Sequence, residues 1–171
     1  IILPFDSPIP SGINDSKKLN EKQRLVLKDE IIKKALSFGI GVVEVSEIDK
    51  INILNASILA MHKAISQLKI SPDFLLIDGN RFHPYLSIPH ETIVKGDAKF
   101  QSIAAASILA KTHRDYLMNC LHQKNPSYDW KTNKGYPTLK HRKALQNLGI
   151  SIHHRKTFRL FAVNSQLNLF N

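Results

Sequence analysis

The sequence has one cysteine, Cys120, so it cannot form a disulfide bond within the chain. It has no apolar run of the ~20 residues that a membrane-spanning helix needs, and no low-complexity tract. Its first ten residues lack the basic leader and the apolar core of a signal peptide. No GxxxxGK[ST] loop occurs, which disfavours an α/β phosphotransferase. We therefore expect a folded cytoplasmic protein that does not bind membranes.

Positive charge is what the sequence has in excess, with 24 Lys and Arg against 14 Asp and Glu and a formal net charge of +10. A basic surface favours a polyanionic partner, with nucleic acid first and an anionic membrane second. The basic residues are spread along the 171 residues, and 43% of the residues are hydrophobic, which suits one folded domain. We predict a single domain over residues 1–160, a flexible tail over residues 161–171, and a monomer.

Apolar periodicity and caps predict strands that alternate with helices, which indicates an α/β fold with a mixed sheet. The capping box of Asn20 and Gln23 predicts a helix to about Ser37, stopped by Gly39. The other predicted elements are a strand end at Ile1–Phe5, a strand at Gly41–Val45, a helical turn at Ser46–Ile51, a helix at Leu54–Leu68, strands at Asp73–Asp78 and Glu91–Val94, and helices at Ala98–Lys124 and Thr138–Leu148.

Two apolar runs end in aspartate, and these are the candidate catalytic and metal-binding residues. In FLLIDGN, Asp78 follows a buried strand, and Gly79 allows a sharp exit with positive φ. In IVKGDAK, Asp97 follows a second strand and precedes the long helix. Ligands in α/β sheets bind beyond the carboxyl ends of strands, and two carboxylates there could hold a hard divalent cation. Asp78 could instead only open a turn, and Asp97 could instead be a helix N-cap.

The lysines beside Asp97, Lys95 and Lys99, would suit a phosphate that arrives next to a metal ion. A basic protein with paired carboxylates suggests metal-assisted phosphodiester hydrolysis. A third aspartate, Asp115, lies inside the long helix, and we favour an ion pair with Arg114 or Lys111 over a catalytic role. The eight histidines have neither paired cysteines nor HExxH spacing, so we reject a zinc site.

Five motifs in order, NDSKKL, LLIDGN, IVKGDAK, SIAAASILAKTHRD and KGYPT, resemble those of bacterial ribonuclease HII, the type 2 ribonuclease H family. The segment EIDKINILNASILAMHKAI is also similar to the middle of that family. The resemblance spans nearly all of residues 2–158. It implies a ribonuclease H-like mixed sheet flanked by helices, with a helical C-terminal part.

The resemblance also implies an activity. The family cleaves the RNA strand of RNA/DNA hybrids and nicks 5′ of a ribonucleotide in duplex DNA, the incision of ribonucleotide excision repair. It uses Mg²⁺ or Mn²⁺ and leaves 3′-hydroxyl and 5′-phosphate ends. Of its four site carboxylates, Asp78 matches that of the DGN motif and Asp97 that of the KGD motif, whereas Asp115 matches none.

The other two carboxylates belong to a DEAGRG motif, which also reads the ribose 2′-hydroxyl, and these 171 residues do not contain it. The chain begins at a position that matches the family just after the middle of its first strand, so we expect residues upstream. We further expect the chain alone to be inactive, because two carboxylates make a poor two-ion site. The alternative function is a non-catalytic nucleic-acid-binding module.

Several residues resemble family contacts to the substrate. Tyr136 in KGYPT is similar to the tyrosine that packs on the sugar at the RNA–DNA junction, although it could instead close a turn. The residues Asn14, Ser16, Lys17 and Lys18 are similar to a segment near the substrate backbone, or they form a solvated loop. The basic helix with Lys140, His141, Arg142 and Lys143 is expected to face nucleic acid, or it presents an ordinary solvated face. His153 and His154 are expected to pack or to contact DNA.

The tail contains a peptide, QLNLF, that resembles those bound by bacterial sliding clamps. Its residues Gln166, Leu167, Leu169 and Phe170 would supply polar and apolar anchors for a groove on the clamp. A chance match, or a tail that folds back, would explain the same five residues.

Overall fold

The computed structural model describes residues 1–5, 13 and 19–158. In chain order its elements are α1 (Glu21–Lys34), α2 (Val45–Ile65), β1 (Leu75–Asp78), β2 (His90–Ile93), α3 (Gln101–Lys124), α4 (Trp130–Asn133) and α5 (Leu139–Leu148), with 3-10 turns at Gly96–Ala98 and Pro126–Tyr128. The predicted α/β class is confirmed, and within the described residues the sheet consists of β1 and β2 in parallel. None of the described helices is long and apolar enough to cross a membrane.

The chain packs into two compact units, which we call the first unit (residues 1–42 and 57–112) and the second unit (residues 43–56 and 113–171). The core of the first unit joins α1 to the N-terminal half of α3 and consists of Ile13, Ile31, Ala104, Ala105, Ile108 and Leu109. Ala104 and Ala105 are fully buried, so their small side chains let other groups pack close to α3. The prediction of one domain over residues 1–160 stays a prediction.

The capping box predicted for α1 is confirmed. The Gln23 amide N–H donates to Asn20 Oδ1 and the Asn20 amide N–H donates to Gln23 Oε1, each at 2.9 Å. These two bonds satisfy backbone donors that have no partner within the helix. The helix ends at Lys34, three residues before the predicted Ser37.

Gly39 and Gly41 serve a different purpose from the predicted helix stop and strand. A Cβ atom on Gly39 would overlap the Ala64 carbonyl of α2, and one on Gly41 would overlap the Ala60 carbonyl. The glycines therefore let an extended segment lie directly against α2. The side-chain amide of Gln67 accepts from the Ile40 N–H at 3.3 Å and donates to the Ile40 carbonyl at 3.1 Å. The segment 41–44 forms no strand, so the predicted strand at Gly41–Val45 was wrong.

Within the chain's first residues the predicted strand end is reduced to one antiparallel bridge, between Ile2 and Ser37. Helix α2 contains a break at Asn52, whose backbone is non-helical with φ 67° and ψ 166°. The break separates a short helical piece from a longer one, as the sequence predicts.

The second unit has an aromatic core around Tyr128, Trp130 and Leu145, with His154 also buried. Tyr128 and Trp130 stack with ring centroids 4.9 Å apart. The C-terminal part of the described chain is fixed by Asp49, whose carboxylate accepts from the amides of Lys156 and Thr157 and from the Thr157 hydroxyl at 2.6 Å. The hydrogen bond from this hydroxyl is the main cause that lowers the pKa of Asp49.

Candidate active site

Asp78 is the last residue of β1 and the first member of the candidate site. Leu75 and Ile77 are buried, and Asp78 is exposed where the strand ends. The register pairs Asp78 with Ile93 of β2, and the Gly79 amide extends the ladder by donating to the Ile93 carbonyl at 2.9 Å. Gly79 leaves the strand with φ 107°, which confirms the predicted sharp exit.

The Gly96 backbone connects the ends of the two strands. Its amide N–H donates to Asp78 Oδ1 at 2.9 Å, so the turn after β2 is held against the first candidate carboxylate. A Cβ atom on Gly96 would lie 2.6 Å from Ile103 Cδ1 and 3.4 Å from Asp78 Oδ1. Only glycine therefore fits without a shift, and sequence reasoning did not identify Gly96 as a residue of the site.

Asp97 directly follows Gly96 in the 3-10 turn and is buried, with 7% of its surface exposed. The bond between Gly96 and Asp78 therefore places the backbone of Asp97 next to the end of β1, where Asp78 lies. Asp97 lies four positions before Gln101, the first residue of α3, so it is not the N-cap of that helix. Burying a charged carboxylate costs free energy, and this cost is offset most readily when the carboxylate is paired or binds a cation.

The chemistry of this edge suits a hard divalent cation, since both side chains offer carboxylate oxygens. Two carboxylates are fewer protein ligands than a two-ion site usually has. Among the residues that the structure describes, there is no group of three or more His, Cys, Asp or Glu side chains placed to hold a metal ion. The metal-binding role of Asp78 and Asp97 stays a prediction, and it would need further oxygen ligands from elsewhere.

Lys95 precedes Gly96 in the left-handed conformation, with φ 57°, and both Lys95 and Lys99 are exposed. Their exposure is compatible with a phosphate contact beside Asp97. That role stays a prediction.

Tyr136 lies in the second unit, in a turn that is built by Asn133. The buried Asn133 side chain donates to the Tyr128 carbonyl and accepts from the Gly135 amide, each at 2.8 Å. Its backbone carbonyl accepts from the Tyr136 amide, also at 2.8 Å. Lys134 and Gly135 both have positive φ, 50° and 86°, so the chain turns sharply and leaves the Tyr136 ring 61% exposed.

Asp115 forms the ion pair that we favoured, with Arg114. The Arg114 Nη2 and Nε atoms both donate to Asp115 Oδ1, at 2.9 and 3.2 Å. Asp115 is 4% exposed, and the Arg114 guanidinium carbon lies 5.9 Å from the centre of the Tyr136 ring. Sequence reasoning found the ion pair and missed its contact with Tyr136.

The basic helix is only partly a charged surface. Lys140, Arg142 and Lys143 are exposed, and Lys140 forms an ion pair with Asp129 at 3.1 Å, which lowers the pKa of Asp129. His141 is buried at 3% exposure, with Nδ1 2.8 Å from the Tyr128 carbonyl. Its expected place on the basic surface was wrong, because it shares the core-facing side of α5 with Leu145 four positions later.

The two C-terminal histidines pack in the aromatic core, one of the two roles expected of them. His154 is 7% exposed and stacks on His141 with centroids 5.2 Å apart, and His153 contacts Trp130 edge-on at 5.8 Å. The predicted backbone contacts Asn14, Ser16, Lys17 and Lys18 and the clamp-peptide residues Gln166, Leu167, Leu169 and Phe170 lie outside the described residues.

Comparisons with known proteins agree with the residue pattern. The family model described as Ribonuclease HII matches residues 10–161. Ribonuclease HII of Bacteroides thetaiotaomicron is 59% identical over 169 residues, and that of Phocaeicola vulgatus is 56% identical over 169 residues. In both cases the alignment covers 99% of this chain and 84% of the relative.

Among solved structures, the chain resembles the ribonuclease H2 of Pyrococcus horikoshii OT3, with a TM-score of 0.77 and 24% identity. That match covers 92% of this chain and 82% of the other, and at this identity it shows the fold, which confirms the ribonuclease H-like prediction. The family model spans most of the sequence and the close relatives span nearly all of it, so this chain belongs to the ribonuclease HII family of hydrolases.

Proposed function

We propose that these residues, together with the Asp-Glu pair that the family resemblance implies, form an endonuclease that hydrolyses the RNA strand of RNA/DNA hybrids and nicks duplex DNA 5′ of an embedded ribonucleotide. The products would carry 3′-hydroxyl and 5′-phosphate ends. The observation that carries the proposal is the 2.9 Å hydrogen bond from the Gly96 amide to Asp78, in a member of the ribonuclease HII family. It holds the turn that carries Asp97 against the carboxylate of Asp78.

Asp78 and Asp97 would hold Mg²⁺ or Mn²⁺ as oxygen ligands. When bound, such an ion activates water and stabilises the leaving oxygen of a phosphodiester. The Gly96 amide fixes the orientation of Asp78 by occupying Oδ1. The burial of Asp97 excludes water from part of its surroundings, which strengthens its attraction for a cation.

The substrate would be held by residues of three segments. Tyr136 presents an exposed ring, and aromatic rings are general contacts for nucleotides. We assign contacts with the sugar-phosphate backbone to Lys95 and to Asn14, Ser16, Lys17 and Lys18. Such contacts set the position of the protein on the duplex without reading sequence.

A second candidate function, binding without cleavage, follows from the number of carboxylates. Asp78 and Asp97 are two of the four that the family resemblance implies, and the described residues contain no larger ligand cluster. We therefore propose that these 171 residues bind hybrids but do not cleave them. A cleavage assay with Mg²⁺ and a labelled hybrid is expected to give no product, and robust cleavage would contradict this proposal.

The catalytic role is tested by joining the chain to a segment that supplies the family's Asp-Glu pair. This joined protein is expected to cleave the hybrid. Asp78→Asn in it should lower the cleavage rate by about 100-fold or more, the scale for loss of one charge-stabilising group, while hybrid affinity stays within about twofold. Equal cleavage by the variant would refute the role of Asp78, and joint loss of binding and cleavage would point to misfolding.

We also propose that the tail peptide binds a bacterial sliding clamp through Gln166, Leu167, Leu169 and Phe170. A pull-down with the clamp of the same organism is expected to retain the chain. Replacing Leu169 and Phe170 with alanine should abolish retention, because apolar anchors supply most of the affinity of such peptides. Equal retention of the substituted chain would refute this proposal.

A further inference from the structure

We propose that Arg114, held by the buried Asp115 carboxylate, positions the Tyr136 ring and so sets the preference of the protein for RNA–DNA junctions. This inference rests on the proposed contact of Tyr136 with the sugar of the substrate. The contributing contacts all lie within the second unit, on one side of α3 and in the turn at residues 133–136.

The first step is the fixing of Arg114. Two of its five N–H groups donate to Asp115 Oδ1, at 2.9 and 3.2 Å. Adjacent residues of a helix point in different directions, so the guanidinium reaches Asp115 only by folding along the helix surface. Asp115 is 4% exposed and the Arg114 side chain is 39% exposed. A buried carboxylate therefore anchors a cation that remains in contact with solvent.

The second step is the contact between this cation and Tyr136. The guanidinium carbon lies 5.9 Å from the ring centroid, at the outer limit of a cation–π contact. Tyr136 is 61% exposed, so the contact with the cation leaves much of the residue accessible. A ring held in this way is available to a sugar with less loss of side-chain entropy on binding.

The third step is the attachment of the whole turn to α3. Met118, one helical turn after Arg114, lies 3.7 Å from the place of a Cβ atom on Gly135. The Lys134 Nζ atom donates to Asn119 Oδ1 at 3.3 Å. Arg114, Met118 and Asn119 thus form one platform for the turn. Of these contacts, only that of Arg114 reaches the aromatic ring that we assign to the substrate.

The predicted effect is on selectivity more than on affinity. Removing a cation that contacts phosphate weakens binding to every duplex, because one phosphate contact is lost. Loss of the ring position should weaken binding only where a junction is present. The measured quantity is therefore the ratio of two dissociation constants, for an all-DNA duplex and for the same duplex with one ribonucleotide.

The experiment measures both constants by fluorescence anisotropy in EDTA, where no cleavage interferes. We expect Tyr136→Ala to remove the preference for the ribonucleotide duplex. Arg114→Gln should reduce the preference about 2- to 5-fold, the factor that corresponds to a weak cation–π contact. In the double variant with Tyr136→Ala, Arg114→Gln should reduce it no further, since both act through one ring.

Two matched variants separate position from charge. Lys33→Gln removes an exposed positive charge from α1 and should leave the ratio unchanged. Arg114→Lys keeps the charge but loses the planar fork that bonds to Asp115, so it should lower the ratio as Arg114→Gln does. Arg114→Gln combined with Asp115→Asn removes both charges and tests the same step if the single variant is unstable.

The outcomes distinguish the inference from the function on which it rests. A normal ratio for Arg114→Lys, or a ratio for Arg114→Gln equal to that of Lys33→Gln, overturns the role of Arg114 even when Tyr136→Ala loses the preference. An unchanged ratio for Tyr136→Ala overturns the substrate contact of Tyr136 and the inference with it. Absence of binding to both duplexes by the unsubstituted chain overturns the proposed function itself.

Discussion

At the residue scale, Gly96 has little room for a side chain within the candidate site. It is buried between Ile103 and Asp78, and its amide orients the Asp78 carboxylate. We predict that Gly96→Ala destabilises the protein by about 1–3 kcal/mol, the usual cost of adding a methyl group to a packed core. It should also weaken Mn²⁺ binding, because the turn moves away from Asp78. Urea unfolding and electron paramagnetic resonance of free Mn²⁺ measure the two effects.

A compensating substitution provides the control for Gly96. Ile103→Val removes the Cδ1 methyl that an alanine side chain would strike at 2.6 Å. Combined with Gly96→Ala, it should be less destabilising than the sum of the two single substitutions. If the double variant is destabilised by the full sum of the two single effects, the contact with Ile103 is not the cause of the destabilisation by Gly96→Ala.

A second prediction at this scale concerns pH. Burial, followed by the charge of nearby His141, lowers the pKa of His154 from 6.5 to about 4. The unfolded chain therefore takes up a proton before the folded one as pH falls. The contribution of His154 to the free energy of unfolding is fully present above pH 6.5. It is lost as the pH falls from 6.5 to 4, and the loss is about 1–2 kcal/mol after allowance for solvent screening.

The comparison that isolates this effect is His154→Gln, which cannot titrate. Its free energy of unfolding, measured in urea at pH 7 and pH 4.5, should change less with pH than that of the unsubstituted protein. The pH dependence of the two proteins should differ by about 1–2 kcal/mol, the contribution of one histidine. Identical pH dependence would contradict the assignment to His154.

Single residues differ in how well sequence predicts them. Asp78 and Gly79 were predictable, because an apolar run followed by Asp-Gly indicates a strand that ends in a sharp turn. Arg114 and Asn133 act through tertiary contacts, with Tyr136 and with Tyr128, that no local pattern contains. His141 sits in a run of basic residues and was misplaced, since only the packing of α5 shows which side is buried.

At the element scale, the break in α2 is the feature with the clearest energetic consequence. Asn52 has φ 67°, and its Oδ1 accepts from the amides of Leu54 and Asn55 at 3.0 and 3.1 Å, which caps the second helical piece. Asn52→Ala should cost about 1–3 kcal/mol, because alanine loses the cap and strains this backbone. The cost is measured by urea unfolding.

Two other substitutions separate the cap from the backbone. Asn52→Asp keeps the accepting oxygen and should cost less than Asn52→Ala. Asn52→Gly loses the oxygen but fits the backbone, so it should also cost less than alanine. If the Asn52→Ala variant is as stable as the Asn52→Gly variant, the positive φ at position 52 is not a source of strain.

Elements that are set by local signals such as helix caps were predictable from sequence. The conformation of residues 41–45, which depends on packing against α2, was not. Helix α1 begins after the capping box, as expected. Helix α5 lies between its N-cap Thr138 and its C-cap Gly149, also as expected. The valine-rich segment at residues 41–45 has strand composition. Gly41, with Gly39 two residues before it, instead fits the chain against α2, and Gln67 forms hydrogen bonds with the backbone of Ile40 between them.

At the scale of the whole molecule, the net charge of +10 should dominate binding. The affinity for nucleic acid falls with salt because each phosphate contact releases counterions. With about five contacts, the slope of log K against log salt is about −4.5, and affinity falls about 500-fold between 50 and 200 mM salt. Anisotropy titrations of a hybrid duplex over that range measure the slope.

Substitutions in the two units then show where the contacts lie. Lys143 is exposed on α5 and should contact phosphate, so Lys143→Gln should make the slope shallower by about 0.9. Lys33→Gln removes the same charge from α1. It should change the slope much less than Lys143→Gln does, because a lysine that does not contact the duplex releases no counterion on binding. Equal slopes for the two variants would show that the charge acts only as a diffuse field, and α5 would then not be a nucleic-acid-binding surface.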